Sequence, residues 1–185
     1  VGDDGVGYRA TADSLLNGDG LQYFLERPLT VWPPLWPSLM AAVAKVTPLD
    51  TVGAAIALNT IVTVVAVVLM HRLLRRCLDD DRLVLLGTAV VALGSSTIGF
   101  GHLLMTDFAF SVVVVGLALF LPRFRYQRAP GLLVAAAALV WLGFSLRYAA
   151  LYLIPLAALW LLLLPAVRSG GRGPTDSTAT DSTAT

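Results

Sequence analysis

The residues best placed to do chemistry open the chain. Asp3 and Asp4 are adjacent carboxylates, followed by Tyr8, Arg9, Asp13, Asp19, Glu26 and Arg27. Adjacent acids can supply a general base beside a group that orients a substrate or a divalent cation; the same pair also occurs as an ordinary acidic turn. Asp107 follows Met105-Thr106 and precedes Phe108-Ala109-Phe110, at the mouth of an apolar run. An ionisable residue there is costly unless Thr106 or Asp107 caps a helix or the acid faces a polar cavity. Arg147 stands between Leu146 and Tyr148 at the mouth of another run. Its guanidinium can bind a phosphate or snorkel to a membrane interface. His102 has the chemistry of a base, a ligand or an interfacial residue. Cys77 is the one cysteine, which excludes an internal disulfide and a cysteine-based metal cluster. Asp79-Asp80-Asp81 lies among arginines and reads as a solvated loop.

The surroundings of these residues are hydrocarbon-compatible. Of 185 residues, 57% are hydrophobic and 14% charged, against roughly 25% charged in a soluble domain. Mean hydropathy is +0.77. The net charge of +1 carries no nucleic-acid footprint. The expected fold is all-α: a multi-pass bundle of about five membrane spans, in the lipid bilayer of the plasma membrane. Residues 1–50 form an extracytoplasmic loop with short helices, 51–168 the bundle, and 169–185 a polar tail that repeats Thr-Asp-Ser-Thr-Ala-Thr and is expected to be disordered.

Within the head, residues 3–7 read as a turn and 8–16 as a helix stopped by Asn17-Gly18-Asp19-Gly20. Trp32-Pro33-Pro34-Leu35-Trp36-Pro37 reads as extended chain with interface-type tryptophans, and Pro37 as the start of a helix to about Val46. The spans fall at 52–70, 83–100, 108–121, 131–146 and 148–167, the fourth and fifth parted by Arg147 and the fifth kinked at Pro155. Five alternating spans put Arg72, Arg75, Arg76, Arg82, Arg123, Arg125, Arg128, Arg168 and Arg172 on one side, and Arg9, Arg27, Lys45 and Arg147 on the other. The basic side is inside, so the head, the 101–107 turn and Arg147 face outside. A polar head outside needs an export route, so a further helix is expected upstream of Val1.

This order of features resembles the N-terminal half of the GT-C fold glycosyltransferases, the group related to dolichyl-phosphate-mannose–protein mannosyltransferases and lipid A aminoarabinose transferases. In that group an acidic pair follows the first membrane helix, then a tyrosine-bearing helix and a Pro-Pro-hydrophobic-aromatic-Pro stretch. Asp3, Asp4, Tyr8 and Pro33-Pro34-Leu35-Trp36-Pro37 match them here. Thr106-Asp107 stands where the group has Thr-Glu, and Leu146-Arg147 where it has Thr-Arg. The resemblance spans residues 3–167 and implies an N-terminal portion of an enzyme. It implies inverting transfer of a sugar from a polyprenyl-phosphate donor to a lipid, glycan or protein acceptor at the outer membrane face. Asp3 or Asp4 would be the base, the other orienting the acceptor or a divalent cation. Arg147 would meet the donor phosphate, Asp107 would be a supporting or metal-side acid, and Tyr8, Trp36 and His102 would shape the substrate groove. No other cofactor is implied.

The alternative is a non-catalytic polytopic membrane protein: part of a transporter or flippase, or a relative that binds polyprenyl phosphate without turnover. A transport path calls for polar groups at mid-depth. The spans offer only Asn59 and hydroxyl residues such as Thr63, Thr88 and Ser111, without charge.

Overall fold

A computed structural model describes residues 3–23, 27–101, 106–127 and 130–163. His102, the 128–129 connection and the expected tail lie outside the described residues. The described chain is all-α, with eight α-helices: α1 (Asp3–Asn17), α2 (Leu35–Val46), α3 (Thr51–Cys77), α4 (Asp81–Leu93), α5 (Ser95–Gly101), α6 (Asp107–Gln127), α7 (Pro130–Leu146) and α8 (Leu153–Leu163). A 3-10 turn, Tyr148–Tyr152, joins α7 to α8. Between α1 and α2, two-residue strands β1 (Gln22–Tyr23) and β2 (Arg27–Pro28) pair antiparallel, Gln22 opposite Pro28 and Tyr23 opposite Arg27.

Residues 3–7 are helical, where the glycines suggested a turn. Glycine weakens a helix because it adds backbone entropy and no side chain, but Gly7 is needed for its lack of one. A Cβ there would lie 2.9 Å from Tyr23 Cε2 and 3.1 Å from Trp32 Cζ3. The helix ends as its sequence indicates. Gly18 takes φ +88°, and Asp19 and Gly18 donate back to the carbonyls of Ser14 and Leu15. This is the crossed pair of bonds that closes a helix on a left-handed glycine.

Asp50 opens α3, its side chain accepting from Gly53 N at 2.7 Å. Arg75 and Arg76 stand in the last turn, against the negative end of the helix dipole. With 27 residues, α3 outruns the expected 52–70, because Arg72, Leu73, Leu74, Arg75 and Arg76 are strong helix formers with no breaker among them. Among the described residues it is the one helix long and apolar enough to cross a membrane. The expected second span is broken: α4 stops before Gly94, whose backbone is extended at φ −58°, ψ 141°. A Cβ at Gly94 would sit 2.9 Å from the Val90 carbonyl oxygen, so a close backbone approach occupies the break.

Helix α6 continues through Pro122 to Gln127. Proline has no N–H for the carbonyl four residues earlier, and Arg76 reaches into the same turn, Nη1 to Leu119 O at 2.7 Å. Arg147 breaks the chain between α7 and the 3-10 turn, with extended φ −150° and ψ 132°. Pro155 produces no mid-helix kink: α8 begins at Leu153, so the proline sits in a first turn where no N–H is required.

Helix α6 packs between α3 and α7, while α1 and α2 pack on each other and on the end of the bundle where α3 and α6 begin and α7 finishes. Their shared core joins Tyr8, Ala12, Trp36 and Met40 of the head to Ala55 of α3 and Ala109 and Val113 of α6. Thr51 Oγ1 adds a hydrogen bond to Asp13 Oδ1 at 2.7 Å. The bundle's outward faces are apolar: Ile61, Val64, Leu85, Val90, Val134 and Trp141 are all exposed.

Gly7→Ala should lower stability by about 1–3 kcal/mol through overpacking, although alanine favours a helix by about 1 kcal/mol. Gly131→Ala, in α7 with nothing within 4 Å of the added carbon, should be neutral or stabilising. Thermal unfolding of both variants in lipid nanodiscs checks the pair; equal behaviour would remove the close-packing role of Gly7.

Candidate functional site

Helical spacing places Asp4 one turn before Tyr8. Consecutive helical residues are about 100° apart around the axis, while residues four apart share a face. Asp4 therefore lies on the face that carries Tyr8 and Ala12. Asp4 Oδ1 accepts a hydrogen bond from Trp32 Nε1 at 3.1 Å. The indole ring stands 4.8 Å from the Tyr23 ring and 6.3 Å from that of Tyr8, centre to centre.

One turn further along α1, Tyr8 is 3% exposed. Its hydroxyl lies 3.4 Å from Thr106 Oγ1, a contact across 98 positions of sequence. Thr106 precedes α6 and its carbonyl accepts from Phe110 N at 2.9 Å, the first bond of the helix. That leaves Asp107 in the first turn, where the helix dipole favours negative charge. Asp107 Oδ1 accepts from Arg147 Nη1 in an ion pair whose side chains are 46% and 35% exposed, respectively. Arg147 is held at the corner after α7 by its own N–H, which donates to Gly143 O at 2.8 Å. Gly143 lets this corner close: a Cβ there would lie 3.1 Å from Val113 Cγ1 and 3.3 Å from the Ala150 Cβ.

Burial pushes the Tyr8 hydroxyl above the ordinary tyrosine range. The Thr106 contact opposes the shift, the charge of Asp4 adds to it, and the charge of Arg147 works against it. Tyr8 is thus a neutral hydroxyl within electrical reach of a carboxylate on one side and a guanidinium on the other. Comparison with protein-family models, with curated proteins and with solved structures gives no match. The chemistry of the cluster therefore rests on its own geometry.

Asp4, Tyr8, Asp107 and Arg147, expected from sequence, meet at one end of the bundle. Trp36 does not join them as expected. It is 1% exposed in the core beneath α1 and α2, too deep to line a groove, because helix α2 starts at Leu35 and turns that ring inward. Tyr8 likewise supports the site from below. Asp107, expected as a supporting or metal-side acid, pairs with Arg147, and among the described residues no group of three or more His, Cys, Asp or Glu side chains gathers. His102 lies outside the described residues. Trp32 is the residue that sequence reasoning left at the membrane interface; nothing in its local pattern points to a bond with an acid 28 positions earlier. Thr106 was legible only as a candidate cap.

Alkaline titration separates Tyr8 from the other tyrosines. A raised pKa in the folded state means that the stability gained by keeping Tyr8 protonated is fully present below the ordinary tyrosine value of about 10. It is lost as pH rises through the folded value. Phenolate absorbance should show a late component that Tyr8→Phe removes. If the wild type and Tyr8→Phe differ only by an ordinary tyrosine, the hydroxyl is not buried as described.

Proposed function

We propose that this chain is a multi-pass membrane glycosyltransferase, or the N-terminal portion of one. It transfers a sugar from a polyprenyl-phosphate donor to an acceptor at the extracytoplasmic membrane face. One observation carries the reading. Three stretches far apart in sequence place Asp4, Tyr8, Thr106, Asp107 and Arg147 at the same end of the bundle, and these are residues on which the GT-C resemblance rests.

The membrane arrangement is supported by the apolar outward faces of α3, α4, α7 and α8 and by the position of the arginines. Arg72, Arg75 and Arg76 close α3, Arg82 opens α4 and Arg123 nears the end of α6. By topology these lie at the end opposite Asp4 and Arg147, as the positive-inside rule asks of a cytoplasmic side. In the five-span arrangement α3 crosses alone, α4 with α5 forms the second crossing, and α6, α7 and the 3-10 turn with α8 form the rest. Helix α7 has 17 residues, roughly 26 Å, slightly less than a bilayer core of about 30 Å; such a shortfall is met by local thinning of the bilayer.

The chemistry follows from where the groups stand. A polyprenyl tail lies in hydrocarbon and leaves its phosphate at headgroup level. Arg147, at the corner of two helices, supplies positive charge to the departing phosphate. Asp4 supplies the carboxylate that takes the proton of the acceptor hydroxyl as that oxygen attacks the anomeric carbon. Asp107 holds Arg147 at the mouth until an anion competes for it. That ion pair also favours a second reading, a non-catalytic polytopic protein in which Arg147 is already neutralised and serves only to pin the corner.

In proteoliposomes supplied with radiolabelled decaprenyl-phosphate pentose and hexose donors, Asp4→Asn should lower transfer by about 10²–10⁴-fold and leave membrane insertion intact by protease protection. Arg147→Gln should weaken binding of decaprenyl phosphate about tenfold or more. Unchanged transfer in Asp4→Asn removes the base, and unchanged binding in Arg147→Gln supports the non-catalytic reading.

A further inference from the structure

Trp32 has no part in the proposed function, yet its indole N–H is bonded to the Asp4 carboxylate. Its ring is confined on three sides. Tyr23 lies against it at 4.8 Å with planes tilted 48°, Tyr8 meets it edge-on at 6.3 Å and 63°, and Gly7 leaves only backbone beneath it. Pro33 follows and biases the Trp32 backbone toward extended geometry. A tryptophan placed only by membrane interface preference needs none of these contacts. This one is built to aim an N–H.

We propose that Trp32 is a positioning residue: its indole N–H holds Oδ1 of Asp4 and thereby turns Oδ2 toward the acceptor hydroxyl. The inference rests on the transferase reading and adds to it the atom that receives the proton. In the step, the acceptor O–H bond breaks and its proton goes to Oδ2. The acceptor oxygen forms a bond to the anomeric carbon, and the bond from that carbon to the donor phosphate oxygen breaks, the electron pair leaving with the phosphate. Without the indole, an acid in the first turn of α1 can rotate or bond the free N–H groups of its own helix end. Misplacement of a reacting group by about 1 Å is enough to cost roughly 10²-fold in rate.

The test uses the full chain in proteoliposomes with the same labelled decaprenyl-phosphate donors. Trp32→Phe keeps an aromatic ring over Gly7 and removes the N–H. A second variant carries benzothienylalanine at position 32, which keeps the bicyclic shape and replaces N–H by sulfur. Both should lower kcat by about 10–10²-fold with KM for the donor changed less than about twofold, since donor binding belongs to Arg147. Combining Trp32→Phe with Asp4→Asn should be no slower than Asp4→Asn alone, because the indole acts through that carboxylate. An isostere variant at full rate overturns the proposal while leaving the transferase reading in place, as does a double variant slower than Asp4→Asn. A wild-type chain that turns over none of the donors overturns both.

Discussion

The head of this protein is held to its bundle by a buried apolar seam. Burying one large apolar side chain stabilises by about 1.5–3 kcal/mol, whereas a neutral hydrogen bond nets about 1 kcal/mol. Trp36 and Met40, both fully buried, thus outweigh the Tyr8–Thr106 and Thr51–Asp13 contacts. The polar groups do not recruit one another. They meet because Ala12, Trp36 and Met40 must find Ala55, Ala109 and Val113, and that docking carries Asp4 and Tyr8 to the start of α6. The seam sets the small residues Ala12, Ala55 and Ala109 beside the large Trp36 and Met40, which permits close approach of the backbones.

How much of this was legible depends on what kind of information a short stretch holds. The helical class and the break at Arg147 follow from composition and from one charged residue between apolar runs. The stop after Asn17 follows from two glycines, both at positive φ in the structure. The start of α1 did not follow, since Gly5 and Gly7 read locally as a turn, and the rings of Tyr23 and Trp32 explain the glycine at position 7. The division of the second apolar run at Gly94 was equally hidden, because one glycine in such a run is compatible with an unbroken helix.

The site divides in the same way. Asp107 and Arg147 could be singled out because charge beside an apolar run is costly and therefore conspicuous, and Asp4 only together with Asp3, as adjacent carboxylates. The two head tryptophans could not be told apart: Trp32 and Trp36 share a composition, a neighbourhood of prolines and an amphipathic ring. What separates them is the onset of α2 at Leu35, which places Trp36 inside a helix and buries it while Trp32 stays on the connecting chain beside Asp4.

Arg76 has a consequence at the opposite end of the molecule. It fastens the last turn of α3 to the Leu119 carbonyl of α6, while Thr106, just before the start of that helix, lies in hydrogen-bonding contact with Tyr8. Helix α6 is thereby tied to α1 just before its start and to α3 at its thirteenth residue, so a shear along its axis would break both contacts. The Arg147 corner, with its extended backbone between α7 and the 3-10 turn, is the nearby joint that a pivot would leave free of those two contacts.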